Sequence, residues 1–433
     1  MPGFHAANGT VDERASAWIT GLGIIGPQGQ GRASLDALLD APRACFSRTP
    51  EDWLGHPGTP DAYVASLPST AQAALQEFET LSTDRSCALA LCAAHEAWQQ
   101  AALESNSEST PNARSFDPYR AGVFWGTGMG GLHTAETSYS RFFVERQALR
   151  PMTVVRIMAN SAAGHLAIKY KLQGPNHTYS VACASSAIAL GEALLAIRSG
   201  RIDVALVGGS EAMLAPGVMS AWGALRVMST RKSTPDAAQA CRPFGAQRTG
   251  LVIGEGAAAF VIESERHARA RGAKPLALLS GYGSTCDAAS LVHPQTEGQV
   301  RSMHLALQDA GVAASAVGSI NAHATGTDAG DVAEAQALAE VFGAHCPPVS
   351  ATKSLHGHLL GAAGAFEAAF CVAGLQRGLL PASLGAVPLD ARCAHLDVVN
   401  GASRPAPDVH TVVSNSFAFG GSNVSLVFRR ASA

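Results

Sequence analysis

Residues 17–25, Ala-Trp-Ile-Thr-Gly-Leu-Gly-Ile-Ile, form an apolar, β-branched run closed by Gly26-Pro27, which predicts a buried strand and a turn. Leu35, Leu38 and Leu39 follow at helical spacing, whereas residues 43–68 are rich in proline and glycine without a period and predict an irregular surface excursion. Residues 84–103 predict a packed helix through Leu89, Cys92, Ala93 and Trp98, and residues 121–127 a second buried strand. No clean period runs through 153–158; residues 161–171 predict a helix. His177 to Ala182 suits a short strand, and Ile188, Leu190, Leu194, Leu195 and Ile197 then recur at helical spacing up to Gly200, a left-handed cap. Residues 203–207 are a further strand. Residues 251–263 read as two strands joined or kinked through glycine, and the end of the chain repeats that shape: 412–417, a bend at Gly420-Gly421, then 424–428. Between them, helices at 300–310, 332–342 and 362–375 alternate with strands at 320–322 and 349–352. Alternating βα units with matching strand-pair endings predict two related α/β halves, similar in architecture rather than in residue identity.

Composition narrows this picture. A chain of 433 residues with 47% hydrophobic and 15% charged residues has apolar surface for a large core and is too long for one minimal domain. The net charge of −3 gives no overall electrostatic case for binding nucleic acid or an anionic membrane. Nine cysteines, widely spread and without a Cys-x-x-Cys pair, point to reduced thiols in a cytoplasmic compartment rather than a disulfide framework. Residues 1–15 read as a tail without the apolar core of a secretory signal, and no later run is apolar over a membrane's thickness.

The candidate chemistry starts at Ser-Val-Ala-Cys-Ala-Ser-Ser-Ala-Ile, residues 180–188, where a cysteine joins a strand to a helix. Unpaired N–H groups and the positive dipole end at a helix N-terminus favour a thiolate, so a lowered thiol pKa is expected for Cys183, with backbone donors for an oxyanion. A cysteine among small residues is nonetheless more often a packing residue. Asn-Ala-His-Ala-Thr-Gly-Thr at 321–327 places His323 just beyond a short strand. Lys353, His356 and His358 share one small, apolar motif, and Lys353 is one of only five lysines, hard to explain there as surface charge. The His356/His358 spacing matches no common zinc pattern. Glycines 126–131 fit neither the dinucleotide loop nor the P-loop, and read as tight packing at a strand end. A papain-like Cys/His hydrolase would account for one histidine but not for the second, the lysine or the paired halves.

Six motifs, in order from about residue 17 to 429, resemble the elongating β-ketoacyl-acyl-carrier-protein synthases: Ile-Thr-Gly-Leu-Gly at 19–23, Ala-Cys-Ala-Ser-Ser at 182–186, Gly-Gly-Ser-Glu at 208–211, Asn-Ala-His-Ala-Thr-Gly-Thr at 321–327, Lys-Ser-x-x-Gly-His at 353–358 and Asn-Ser-Phe-Ala-Phe-Gly-Gly-Ser-Asn at 415–423. The resemblance implies an α/β, thiolase-like fold: two βαβαβαββ halves in a layered αβαβα arrangement, at 16–270 and 271–433, the first carrying the cysteine and the second the histidines and lysine. It implies that Cys183 accepts an acyl chain, that His323 and His358 hold malonyl thioester and promote its decarboxylation, and that Lys353 organises the charges beside a structural Glu367. It further implies a gating Phe419 whose N–H forms an oxyanion hole with that of Cys183, Thr325 and Thr327 as holders of the phosphopantetheine arm, Met129 as a wall of the acyl pocket and Arg226 as a carrier-protein contact.

No tightly bound cofactor or metal is implied; phosphopantetheine arrives on the acyl carrier protein, and the expected assembly is a homodimer or a heterodimer with a related subunit. Two departures stand out. Ala324 and Ala418 replace glycines frequent in the family, and Arg248, in Arg-Pro-Phe-Gly-Ala-Gln-Arg-Thr-Gly at 242–250, lacks the usual acidic neighbours, so the loop is expected to lack its ordinary salt bridges. The functions left open are fatty-acid elongation, a dedicated type II polyketide or aryl polyene ketosynthase, and a non-catalytic chain-length subunit; the last typically lacks the nucleophile, and the two-histidine pattern disfavours a plain thiolase.

Overall fold

The computed structural model describes residues 15–80, 82–104 and 115–431; the expected tail, apart from Ala15, lies outside the described residues. Along the continuous strand order of the large sheet, five strands come before residue 265: β1 (Ala17–Gly26), β2 (Ala121–Gly126), β3 (Asn176–Tyr179), β4 (Val204–Glu211) and β5 (Gly256–Ser264). Five more follow: β6 (Ala277–Cys286), β7 (Ser319–Asn321), β8 (Val349–Ser350), β9 (Thr411–Ala418) and β10 (Ser422–Arg429). Within each set the strands lie side by side in the order third, second, fourth, fifth, first. The pairings also repeat: the second strand runs parallel to the third and fourth, and the fifth antiparallel to the fourth and first. The two sets meet where Ala17, Trp18 and Ile19 pair with Leu279, Leu278 and Ala277.

Three layers cover these strands, formed chiefly by α1 (Arg85–Ala101), α2 (Ser161–Tyr170), α3 (Ser185–Arg198), α4 (Thr296–Ala310), α5 (Asp328–Phe342) and α6 (Ala363–Arg377). Side-chain alternation along the strands assigns the layers. Val123, Trp125 and Leu206 point to α1 and α2, while Phe124, Ala205 and Val207 point to the middle layer of α3 and α6. In the second set Val413 and Val427 pack with α4 and α5, and Val412, Leu426 and Phe428 return to α3 and α6. Lying between sheets, α6 is buried at every position from Ala363 to Leu375, as expected of a helix that is apolar all round. This is the expected αβαβα arrangement. Among the described residues no helix is long and apolar enough to cross a membrane.

One local expectation needs correction and two stretches gain detail. The segment at 43–68 is not wholly a surface excursion: Ser47–Arg48 and Tyr63–Ala65 form a small sheet with Ile253–Gly254, and Tyr63, Val64 and Ala65 are buried. The break expected at 251–263 thus splits the chain between two sheets. The unassigned stretch holds a short helix, Thr153–Ile157.

The central helices approach closely enough to require glycine. A Cβ on Gly364 would sit 2.7 Å from Ala187 Cβ and 2.9 Å from Ala187 N. Gly364→Val should therefore cost about 1–3 kcal/mol by overpacking. Gly164, in α2, faces open space, and Gly164→Ala should gain up to about 1 kcal/mol of helix propensity. Denaturant unfolding of both variants tests the contrast; equal effects would contradict the close packing.

Candidate active site

The duplicated strand order determines where the reactive groups meet. In each half the chain leaves the third strand, turns, and enters a central helix: β3 leads through Cys183 to α3, and β8 leads through Lys353 and His358 to α6. The two turns face each other, and Cys183 Sγ lies 2.9 Å from His358 Nε2. Ala182, just before the cysteine, is in the left-handed region at φ +44°, a strained conformation for an alanine that aims the next side chain out of the turn. Ser185 Oγ stabilises the turn, donating to Ala182 O at 2.7 Å and accepting from Val181 N at 2.9 Å.

His323 enters from the loop after β7. Its ring lies 5.4 Å from that of His358, nearly perpendicular, and its Nδ1 accepts a hydrogen bond from Lys353 Nζ at 3.3 Å. An ammonium can only donate, so the N–H of neutral His323 must be on Nε2. Lys353 is fully buried and paired with the equally buried Glu367. Burial pushes the Glu367 carboxyl up to about 7 against the pull of Lys353. Burial first, and the Lys353 charge second, hold both His323 and His358 well below the ordinary imidazole range, so both rings are neutral. His358 Nδ1 has no partner among the described residues.

The cysteine departs from expectation. It does lie just before α3, but burial pushes its thiol up to about 12, outweighing the lowering by Lys353 and by a hydrogen bond from the Phe419 N–H. Burial thus favours the thiol over a thiolate at rest, with Cys183 Sγ facing His358 Nε2.

A cavity of about 510 Å³ runs from the surface to Cys183, His323 and His358, with Thr325, Thr327 and Phe419 also on its wall. Thr325 and Thr327 share a hydrogen bond of 3.0 Å between hydroxyls. Phe419 stacks on Trp222 at 6.1 Å and is followed by Gly420 and Gly421, both at positive φ. Arg226 is exposed at the rim. Met129, expected to line the acyl pocket, is 55% exposed in the single chain and is not on the wall of this cavity. Beside it, the Glu211 carboxylate accepts from Gly128 N at 2.5 Å and Gly361 N at 3.0 Å, pinning the loop after β2 to the turn before α6.

Glu211 belongs with two further acids that the motifs do not assign. Glu334 accepts the peptide N–H groups of His323 and Ala324 at 2.9 and 2.7 Å, and Asp331 those of Phe244 and Gly326 at 2.8 and 3.1 Å. Burial pushes each of the three up to about 7, while their N–H donors pull down. Asp331 and Glu334 sit in the first two turns of α5, where acids are ordinarily read as exposed helix-dipole partners. Arg248 also corrects the expectation of a loop without salt bridges: Asp328, Asp390 and Asp331, at 2.7, 2.8 and 3.7 Å, replace neighbouring acids with distant ones.

The Cys183, His323 and His358 donor atoms lie within 4.8 Å of one another, a spacing that could suit a metal ion. The Lys353 ammonium on the far nitrogen of His323 opposes a second cation there, and a thiol, two neutral imidazoles and a peptide N–H suit a reacting carbonyl better.

Comparison with known proteins agrees with this geometry. The family model for the beta-ketoacyl synthase N-terminal domain matches residues 16–268, and that for the C-terminal domain matches residues 276–386. The chain belongs to the beta-ketoacyl synthases. It is 37% identical to nodulation protein E of Rhizobium leguminosarum bv. trifolii over 95% of this chain and 98% of that protein. It is 34% identical to 3-oxoacyl-[acyl-carrier-protein] synthase 2 of Coxiella burnetii, over 96% of this chain and 99% of that one. Among solved structures, a type II PKS ketosynthase in complex with its acyl-carrier protein and bound to a hexaketide superposes with a TM-score of 0.87 at 27% identity, covering 97% of this chain and 100% of that chain. This synthase is accordingly an acyltransferase of the condensing type, with a thiolase-like fold.

A neutral resting thiol has a measurable signature. Because the folded pKa is about 12, the thiolate fraction of Cys183 should rise about tenfold per pH unit from pH 6 to 9. Alkylation by iodoacetamide, followed by peptide mass analysis, should rise in parallel without a plateau; a plateau above pH 7 would show a preformed thiolate instead.

Proposed function

We propose that Cys183 carries the growing acyl chain and that His323 and His358 drive decarboxylative condensation with a malonyl thioester, both delivered by an acyl carrier protein. The observation that carries this reading is the 2.9 Å contact between Cys183 Sγ and His358 Nε2, in a cavity shared with a second neutral imidazole. In the first half-reaction the thiol proton passes to His358 Nε2 as sulfur attacks the acyl carbonyl. The Phe419 and Cys183 N–H groups hold the oxyanion, the bond to the carrier thiol breaks, and that leaving thiolate takes the proton from His358. With no partner fixing Nδ1, His358 can next present Nε2 as a donor.

In the second half-reaction the malonyl carbon–carbon bond breaks, CO₂ departs, and the electron pair remains as an enolate. Nε2–H of His323, fixed by Lys353, and Nε2–H of His358 stabilise the enolate oxygen. Its carbon attacks the Cys183 thioester, the carbon–sulfur bond breaks, and the leaving thiolate takes a proton from His358 Nε2, which solvent replaces once the product has left. Thr325 and Thr327 line the way for the phosphopantetheine arm, Phe419 gates it, and Arg226 at the rim receives the acidic carrier. Retention of sulfur and both imidazoles in contact disfavours a non-catalytic chain-length subunit.

The assembly we favour is a dimer with a second copy or a related subunit. β3 ends the sheet with an open edge, and Phe143, Val144 and Val154 expose 62%, 77% and 69% of their surface nearby in sequence to the also exposed Met129. Similarity to a nodulation protein and to a polyketide ketosynthase supports a dedicated pathway; similarity to 3-oxoacyl-[acyl-carrier-protein] synthase 2 supports fatty-acid elongation. The acyl groups accepted will separate them.

Intact-mass analysis with a panel of acyl-carrier thioesters tests the roles. Wild type should gain the acyl mass and Cys183→Ala none. His323→Ala should still be acylated but release CO₂ from malonyl carrier at least a hundredfold more slowly, by loss of an aimed donor. An acylated Cys183→Ala, or unimpaired CO₂ release by His323→Ala, would refute the assignment. Arg226→Glu should raise KM for carrier-borne substrate several-fold with a smaller change in kcat.

A further inference from the structure

The loop whose Arg248 recruits three distant acids contains a second arginine with none. Arg242 is only 9% exposed, yet among the described residues no carboxylate pairs with it. Its contacts are neutral and long: Nη1 donates to Gln247 Oε1 at 3.3 Å and Nη2 to Thr234 Oγ1 at 3.4 Å, and Nε is buried without a partner. The aliphatic stem packs closely on the Gly385 backbone, where a Cβ would come within 2.7 Å of Arg242 Cγ. Burial pulls the guanidinium pKa below its ordinary value. A guanidinium with hydrogen-bonding capacity to spare and no carboxylate beside it can be completed by an anion arriving from its open side.

Arg242 lines an open cavity of about 490 Å³, together with Ser233, Thr234, Gln247, Arg248 and Thr249. A run of hydroxyls reaches away from the guanidinium: Thr234 Oγ1 is 2.8 Å from Thr249 Oγ1, which is 2.9 Å from Ser229 Oγ. Asp236 also lies on the wall, but its carboxylate is engaged with Ala238 N at 3.0 Å. Arg248 and Thr249 line both this cavity and the catalytic one, so a ligand here would sit beside the entrance to Cys183 without touching the reacting atoms.

We propose that this cavity is an oxyanion site for a phosphoryl group, anchored by Arg242. A guanidinium fork with adjacent rotatable hydroxyls matches a tetrahedral group with oxygens in several directions better than a flat carboxylate. The phosphoryl group can come from a free phosphorylated metabolite or from the phosphodiester of a phosphopantetheine arm.

Calorimetric titration of the full chain with inorganic phosphate, pantetheine 4′-phosphate and malonate, at ionic strength matched with chloride, tests the site without requiring activity. Phosphate should bind saturably, at least tenfold more weakly in Arg242→Met and several-fold more weakly in Thr234→Val, and more tightly than malonate. Pantetheine phosphate binding more tightly than inorganic phosphate assigns the ligand to the arm; equal affinity assigns it to a free phosphate. A phosphate response equal to that of chloride, or equal affinities in wild type and Arg242→Met, overturns the proposal. If Arg242→Met does not fold, Thr234→Val with unchanged phosphate affinity does so.

Discussion

One buried charge, on Lys353, organises the candidate site. Paired with Glu367 and fully enclosed, the ammonium adds to burial in keeping both imidazoles neutral, fixes the tautomer of His323 and offsets part of the acidity lost by Cys183 on burial. Removing either member of such a pair leaves an uncompensated charge and costs about 3–5 kcal/mol. The pair sits in apolar surroundings: α6 supplies Glu367 from a stretch buried from Ala363 to Leu375, and the short turn carrying Lys353 meets it there. The charge thus acts on each reacting group through distance and polarity rather than by touching substrate.

The second constraint is the repeated strand order. It brings two equivalent turns, each following a third strand, to the same place, one furnishing sulfur and the other an imidazole. The loops after the second strands also correspond: one carries His323, and the other, Thr127–Gly131 in sequence position, is tied down by Glu211. Glu211, Asp331 and Glu334 spend their carboxylates on peptide N–H groups of these loops, which trades solvation for position. Precision at the sulfur therefore rests on backbone hydrogen bonds several residues away from it.

Much of this was legible in the sequence because strand ends, glycine turns and short motifs are local. Cys183, His323, Lys353, His358 and Phe419 all lie where their motifs placed them along the chain, and the matching strand pairs foretold the duplication. What was not legible depends on enclosure and on partners distant in sequence. The dipole argument for a thiolate at Cys183 considered one helix and could not weigh the burial imposed by the other half. Arg248 seemed to lack acids because Asp328, Asp331 and Asp390 are far from it in sequence. The loop carrying Met129 is held by Glu211, a residue whose motif was visible and whose hydrogen bonds were not. Tyr63 and Val64, apolar within a proline-rich stretch, were the local sign that this segment would fold inward.

The contact between Cys183 and His358 crosses from the first half of the chain to the second. Sulfur and imidazole consequently meet only where both halves are folded and packed together, and neither half alone holds the pair. Any substitution that shifts one central helix against the other is felt directly as a change in nucleophile chemistry, so reactivity itself reports the integrity of the whole fold.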